Sequence, residues 1–203
     1  FFMGIIISVV VGVVLTLPIS SAAICAAVGI SGGAVLAGVL DGSISMDVWN
    51  GLALAGGAAT VGCCCNMLGF AVISYPDNGV GGLVAQGLGT SMLQVPNLMR
   101  KPILWIPPVL TSAILGPVAT CIFQLRNNGA AISSGMGTAG LVGPIGIITG
   151  WSNMPEGYAV GAFDWLGMIL VCFVLPVLLS WAIGKFMRKK GWIKEGDLKV
   201  DLG

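Results

Sequence analysis

The chain contains no histidine, and only 8% of its 203 residues carry a charge. A soluble domain usually has about 25% charged residues, so a folded soluble surface would lack the ionised groups that keep it dispersed. In a bilayer few charges are needed, because a charge at mid-depth costs roughly 2.5–3.5 kcal/mol. The absence of histidine removes the commonest proton shuttle and metal ligand near neutral pH. A net charge of +1 gives no strong attraction to nucleic acid, which is not expected as a partner.

The cysteines do not form a pattern that binds metal. Three of them are adjacent and would point about 100° apart on a helix, so they cannot share one tetrahedral ion. All six lie in apolar segments, which predicts small buried thiols that pack between helices: Cys25, Cys63, Cys64, Cys65, Cys121 and Cys172. No pair of carboxylates stands at helical spacing inside an apolar run. The sequence therefore predicts no metal, no cofactor and no catalytic residue.

Long apolar runs cover most of the chain. Residues 1–40 hold no ionisable side chain and would form a helix about 60 Å long, twice the hydrocarbon thickness of a bilayer, so Pro18 is expected to break them. The runs predict helices at 1–17, 19–39, 48–74, 102–125 and 165–184, the fourth of them kinked or broken by its prolines. The fold class is therefore all-α, a polytopic membrane helical bundle with about five or six spans. The basic residues after the last run predict a cytoplasmic tail at 187–203, which follows a membrane domain at 1–186.

A short internal repeat stands between these runs. The segment Gly87-Leu-Gly-Thr-Ser-Met-Leu-Gln-Val-Pro96 matches Gly135-Met-Gly-Thr-Ala-Gly-Leu-Val-Gly-Pro144 at five of ten positions, with an offset of 48. Glycine lets a backbone approach a ligand closely, threonine offers a donor and an acceptor, and proline ends a half-helix. The repeat predicts two re-entrant or discontinuous helical hairpins that meet near mid-membrane and face a polar cavity. The alternative is ordinary packing of small residues in a tight helical bundle.

The candidate ligand-binding residues follow from this interpretation. Amides and hydroxyls both donate and accept hydrogen bonds, so they suit a neutral polyhydroxylated solute, although they could equally join helices to one another. Arg126 could bind an anion or a sugar, or anchor the chain at the membrane interface. Glu156 is the best carboxylate for a sugar contact or proton coupling. The full set is Gly89, Thr90, Ser91, Gln94, Asn97, Arg126, Asn127, Asn128, Gly137, Thr138 and Glu156. Leucine in place of Gly89 or Gly137 is expected to abolish binding while expression persists.

Two segments carry a family resemblance: residues 86–102, which contain the first repeat copy, and residues 126–144, which contain the second. Together they resemble the phosphotransferase-system EIIC-like membrane proteins, which include the perfringolysin O regulator-like proteins. The resemblance covers residues 1 to about 190 and implies the C-terminal part of a longer protein. It implies a homodimeric sugar permease of the bacterial plasma membrane, with the sugar held near re-entrant hairpins and phosphorylated by cytoplasmic partner components. The chain departs from better-known permeases in having no histidine and no attached phosphorylatable domain.

The sequence therefore favours transport of a small polar solute, most plausibly a carbohydrate, by alternating access and without covalent chemistry in this chain. The second hypothesis is a membrane-embedded ligand sensor that regulates gene expression and signals through its basic tail.

Overall fold

The computed structural model describes residues 1–16, 45–154 and 159–200. The predicted helix at 19–39 and the candidate ligand Glu156 lie outside the described residues. Within them the chain has no strand, and the α-helices are α1 (Phe2–Thr16), α2 (Met46–Ile73), α3 (Tyr75–Val84), α4 (Val95–Arg100), α5 (Ile106–Pro117), α6 (Val142–Gly150), α7 (Ala162–Ile169) and α8 (Leu175–Lys189). The all-α prediction is confirmed.

Three continuous helical stretches of the described chain are long and apolar enough to cross a membrane. They are Met46–Ile73, Pro102–Ile122 and Ala162–Lys189, which match the runs predicted at 48–74, 102–125 and 165–184. The second stretch joins a 3-10 turn, α5 and a π-turn, and Pro107 and Pro108 lie in the first turn of α5, where their missing N–H groups break no helical hydrogen bond. The third joins α7, a π-turn and α8, with Pro176 near the start of α8.

Helix α2 is the centre of the bundle, and glycine lets its neighbours approach it closely. A Cβ atom built at Gly62 would overlap the carbonyl oxygen of Ser8 on α1, and one built at Gly116 on α5 would overlap the carbonyl oxygen of Gly4. Buried hydroxyls then join the same helices: Ser8 Oγ donates to the Ser112 carbonyl at 2.8 Å. Asn66 of α2 is also fully buried, and its Nδ2 donates to the Gly62 carbonyl at 3.0 Å.

The first repeat copy lies in a helical hairpin, residues 75–101, which we call hairpin 1. Its incoming arm is α3 and a π-turn at Ala85–Gly89, and its outgoing arm is a 3-10 turn at Ser91–Gln94 and α4. The arms run side by side, because Gln94 Nε2 of the outgoing arm donates to Gln86 Oε1 of the incoming arm at 2.9 Å. Thr90 is extended, with φ −153° and ψ 137°, and reverses the chain between them.

The second repeat copy lies in hairpin 2, residues 127–150, whose arms are packed more tightly. The incoming arm is irregular, with a 3-10 turn at Ala131–Gly135, and the outgoing arm is α6. A Cβ at Gly146 would overlap the Ser133 side chain, and one at Gly143 would lie 2.5 Å from the Gly137 carbonyl oxygen. Gly137 and Gly140 have positive φ angles of 53° and 52°, a conformation that favours glycine, and they turn the chain at the tip.

The hairpins enter the bundle from opposite ends of α2, a helix of 28 residues and about 42 Å. Hairpin 1 begins directly after Ile73, where α2 ends. Hairpin 2 is fixed near the start of α2, where Asn127 N donates to the Ala53 carbonyl at 3.0 Å. The structure thus points the two repeat copies at each other.

The segment after α8 folds back onto hairpin 1. Ile193 and Leu198 are buried in an apolar cluster that includes Phe70 of α2 and Leu98 of α4. Lys101 Nζ lies 2.5 Å from the Asp197 carboxylate, and a second ion pair joins Arg188 and Asp77 at 2.8 Å. Burial tends to raise the pKa of Asp197, but hydrogen bonds from Lys101 and from the Lys194 amide, with the charges of both lysines, outweigh it and hold that pKa below its usual value. The carboxylate therefore stays ionised, and the ion pair is lost only as the pH falls through this lowered pKa.

The close approach of α1 and α2 can be tested at Gly62. We expect Gly62→Val to cost about 2–3 kcal/mol, as overpacking does, because its side chain would displace the Ser8 backbone. In a chain of this size that lowers the melting temperature by roughly 5–10 °C in detergent. Gly51→Val in the same helix is the matched control, since a Cβ there has nothing within 4 Å. Equal melting temperatures for the two variants would contradict the packing.

Candidate functional site at the two hairpin tips

A hydrogen bond joins the tips of the two hairpins. Thr138 Oγ1 of hairpin 2 donates to the Gly87 carbonyl of hairpin 1 at 2.6 Å, and Thr138 is fully buried. A Cβ on Gly137 would lie 2.7 Å from the Cys63 side chain, and one on Gly87 would lie 3.5 Å from Ala71. The tips therefore meet beside the stretch of α2 from Cys63 to Ala71.

Each repeat copy covers the reversal of its hairpin, and backbone is exposed at both reversals. Gly89 and Thr90 are exposed in hairpin 1, and Gly140 and Leu141 are exposed in hairpin 2. Leu141 has φ 60°, so the chain is left-handed there even without glycine. Backbone of this kind leaves N–H and C=O groups outside regular helical hydrogen bonding, which lipid does not tolerate.

Two hydroxyls of the first copy lie at the reversal with different environments. Thr90 Oγ1 accepts a hydrogen bond from Met92 N at 3.1 Å and so caps the outgoing arm. Ser91 is 1% exposed, and its Oγ is one of the buried polar atoms of the described chain that have no hydrogen-bond partner. A buried hydroxyl without a partner is costly, so Ser91 is the tip residue best placed to bond an added polar group.

The amides predicted as ligands in hairpin 1 are bonded to protein. Gln94 Nε2 donates to Gln86 Oε1 at 2.9 Å, and Asn97 Nδ2 donates to Gln94 Oε1 at 2.9 Å. Gln94 and Asn97 also donate to the carbonyls of Leu198 and Lys199 in the segment after α8. Gln94 and Asn97 therefore lie on the side of hairpin 1 away from its tip.

The polar residues at the start of hairpin 2 form another group. Asn127 Nδ2 donates to Thr60 Oγ1 at 2.7 Å, and its Oδ1 accepts from Ser133 Oγ at 3.0 Å. Arg126 Nε donates to Asn50 Oδ1 at 3.2 Å, and Asn128 is buried next to the Met154 sulfur. These contacts hold the open end of hairpin 2 to the first half of α2, from Asn50 to Thr60.

The structure therefore divides the predicted ligands into three groups. Gly89, Thr90, Ser91, Gly137 and Thr138 lie at the tips, whereas Gln94 and Asn97 face the last segment and Arg126, Asn127 and Asn128 lie at the far end of hairpin 2.

A leucine substitution would have different effects at Gly137 and at Gly89, because their surroundings differ. Gly137 is packed on the Cys63 backbone with positive φ, so leucine there would disturb folding rather than binding. Gly89 has nothing within 4 Å of its added Cβ.

Several polar residues of these networks were not among the predicted ligands. Gln86 and Ser74 complete the amide chain of hairpin 1, and Thr60 and Ser133 complete the group around Asn127. Gln86 directly precedes the first repeat copy, which was a usable signal. Thr60 lies in an apolar run with no pattern around it, so nothing in the sequence singles it out.

These features define an all-helical membrane protein in which two hairpins from opposite ends meet inside the bundle. Residues 1–200 match the family model described as phosphotransferase system, EIIC. The chain belongs to the phosphotransferase-system EIIC family, and with its apolar helices this places it in the membrane as a permease component of such a system. No curated protein and no solved structure matches the chain.

The contact between the tips predicts the behaviour of two Thr138 variants. Thr138→Val keeps the shape of the side chain but leaves the Gly87 carbonyl buried without this donor, so we expect a loss of about 1–3 kcal/mol. Thr138→Ser keeps the donor and should lose clearly less. Thermal unfolding of both variants in detergent measures the difference, and a serine variant as unstable as the valine variant would rule out the hydrogen bond as the cause.

Proposed function

We propose that this chain carries a carbohydrate across the membrane through a wet cavity at the two hairpin tips, where the sugar is presented to phosphorylating partner components. The exposed, non-helical backbone at both reversals, inside a bundle of apolar helices, is the observation that supports this. The family supports the class, a phosphotransferase permease, and the tips are where we propose that the sugar binds.

The argument for a wet cavity rests on backbone hydrogen bonding. At membrane depth an irregular backbone is stable only where protein buries it or water reaches it. Gly89, Thr90 and Gly140 are exposed, so protein does not bury them. A water-filled cavity against the tips satisfies these groups, and hairpins with such tips are the usual substrate sites of transporters.

The chemistry at the tips favours a neutral solute with many hydroxyls. Ser91 has a hydroxyl without a protein partner, and the exposed Thr90 hydroxyl, which accepts a hydrogen bond from Met92 N, can still donate one. None of these groups carries a charge. A sugar hydroxyl both donates and accepts, so it could satisfy the Ser91 oxygen that is otherwise unpaired.

Other parts of the proposal extend the resemblance beyond the described contacts. We place the segment after α8 in the cytoplasm, on the positive-inside rule, and hairpin 1 then opens toward the phosphorylating components. The re-entrant placement of both hairpins in the bilayer belongs to the same proposal. The homodimer stays a prediction, as do sugar contacts from Glu156 and Arg126.

The wet cavity can be tested by thiol labelling of the full-length protein in membranes. Cys121 is exposed, so the prediction of a buried thiol is wrong there, and the labelling uses a Cys121→Ala background. In this background we expect Thr90→Cys to react quickly with a charged, membrane-impermeant methanethiosulfonate reagent, because water reaches the tip. Ile114→Cys is the matched control: Ile114 is also exposed, at 44%, but on the apolar face of α5. Lipid should cover that residue, so a charged reagent should label it at least tenfold more slowly. Equally slow labelling of Thr90→Cys and Ile114→Cys would contradict the cavity.

Transport itself can be tested at Gly89. Gly89→Leu has room to fold but places a bulky side chain in the tip opening, so we expect sugar uptake by cells that express the full-length protein to fall at least tenfold. Gly51→Leu, which also faces open space, should leave uptake near that of the unchanged protein. Equal uptake by both variants would argue against the tip as the pathway. Sugar binding by the unchanged protein without any uptake would instead favour the ligand sensor.

A further inference from the structure

The last segment of the chain is held by side chains from both arms of hairpin 1. Asn78 Nδ2, at the start of the incoming arm, donates to the Leu198 carbonyl at 2.7 Å, and Gln94 Nε2 of the outgoing arm donates to the same carbonyl at 3.0 Å. Asn97 Nδ2 donates to the Lys199 carbonyl at 2.9 Å. Val200 N donates back to Asn78 Oδ1 at 2.7 Å.

All of these hydrogen bonds are made to backbone atoms of the segment and none to its side chains. Three amides from two arms thus form a receptor for an extended peptide, and residues 198–200 occupy it. Asn78 makes two of the contacts with one amide group, which fixes both the direction and the register of the bound backbone.

Three further interactions fix the segment in place. Leu198 and Ile193 enter the apolar cluster with Leu98, Leu104 and Met187. The Lys101–Asp197 ion pair ties the end of the outgoing arm to the segment, and the side chains of Lys101 and Asp197 are 33% and 23% exposed. The Gly196 amide also donates to Asp77 Oδ1, beside the Arg188 ion pair.

We propose that residues 190–200 are a latch on hairpin 1: the peptide receptor formed by Asn78, Gln94 and Asn97 holds the segment, and the segment holds both arms together. The latch also controls how fast hairpin 1 can move during transport, a role that rests on the proposed transport function. Gly79, with φ 59° and ψ −155°, is the joint about which the released hairpin turns. Its conformation is open only to glycine, and nothing lies within 4 Å of an added Cβ.

The ion pair gives the sharpest test, because exchanging both charges restores the pair in reversed order, although lysine at 197 no longer accepts from the Lys194 amide. Hydrogen–deuterium exchange of the full-length protein in lipid nanodiscs reports both the segment, at 191–200, and hairpin 1, at 80–100. We expect Lys101→Glu and Asp197→Lys each to speed exchange in both regions about two- to fivefold, as the loss of a half-exposed ion pair does. The double variant K101E/D197K should exchange more slowly than Asp197→Lys, which lacks the same bond to the Lys194 amide and lacks the ion pair as well.

Lys199→Glu is the matched control, since it changes the same charge in the same segment while only its backbone carbonyl meets Asn97. Its exchange should stay at that of the unchanged protein. A chain that ends at Lys190 should show the largest increase in hairpin 1. The latch is refuted if the single variants exchange like the control, or if the double variant is no slower than Asp197→Lys.

Sugar uptake measured on the same variants separates the two proposals. Faster exchange with altered uptake supports a latch that acts in transport, whereas faster exchange with unchanged uptake overturns that role. If the unchanged protein shows no uptake, the proposed transport function fails, yet the exchange data still decide whether the segment holds the hairpin.

Discussion

A polar backbone inside an apolar bundle must find hydrogen bonds, and the rest of this structure depends on that constraint. Long helices meet it internally, as α2 does. The two hairpins cannot, because their chains reverse inside the bundle. They meet it by contact with each other, as in the Thr138–Gly87 hydrogen bond, and by amide side chains, as where Gly129 N donates to Asn127 Oδ1, while Gly89, Thr90 and Gly140 stay exposed at the reversals.

Glycine makes this arrangement possible in two different ways. At Gly62 and Gly116 the missing side chain lets helices touch backbone to backbone, which builds a bundle tight enough to support two interrupted segments. At Gly137 and Gly140 the chain needs positive φ angles. The abundance of glycine in the composition thus reflects packing between long helices and turning at the tips, and the two uses are distinguished only by the coordinates.

The long helices were predictable because uncharged runs of the right length have few alternatives. The helix predicted at 48–74 is observed at Met46–Ile73, and the helix predicted at 165–184 lies within the observed stretch Ala162–Lys189. The prolines at 107 and 108 do not break their run, since they fall in the first turn of α5. The repeat located both reversals for a local reason, since glycine, threonine and proline at these spacings end and turn helices wherever they occur.

The partners of the polar side chains were not predictable from the sequence. Gln94 lies in the first repeat copy and Asn97 directly after it, but their backbone partners Leu198 and Lys199 follow about a hundred residues later, in a stretch that has the composition of a charged tail. Asn127 bonds to Thr60 across 67 residues. Such pairings depend on how helices are arranged in three dimensions, which hydropathy and spacing do not encode.

The bond between the tips also has a mechanical consequence. One short hydrogen bond couples two hairpins that enter from opposite ends of α2. Neither hairpin can withdraw unless it pulls on the other or breaks this bond. The two approaches to the centre are then interlocked rather than independent. In the proposed transport function, this coupling keeps the two sides from opening at once, which is what prevents a carrier from becoming a leak.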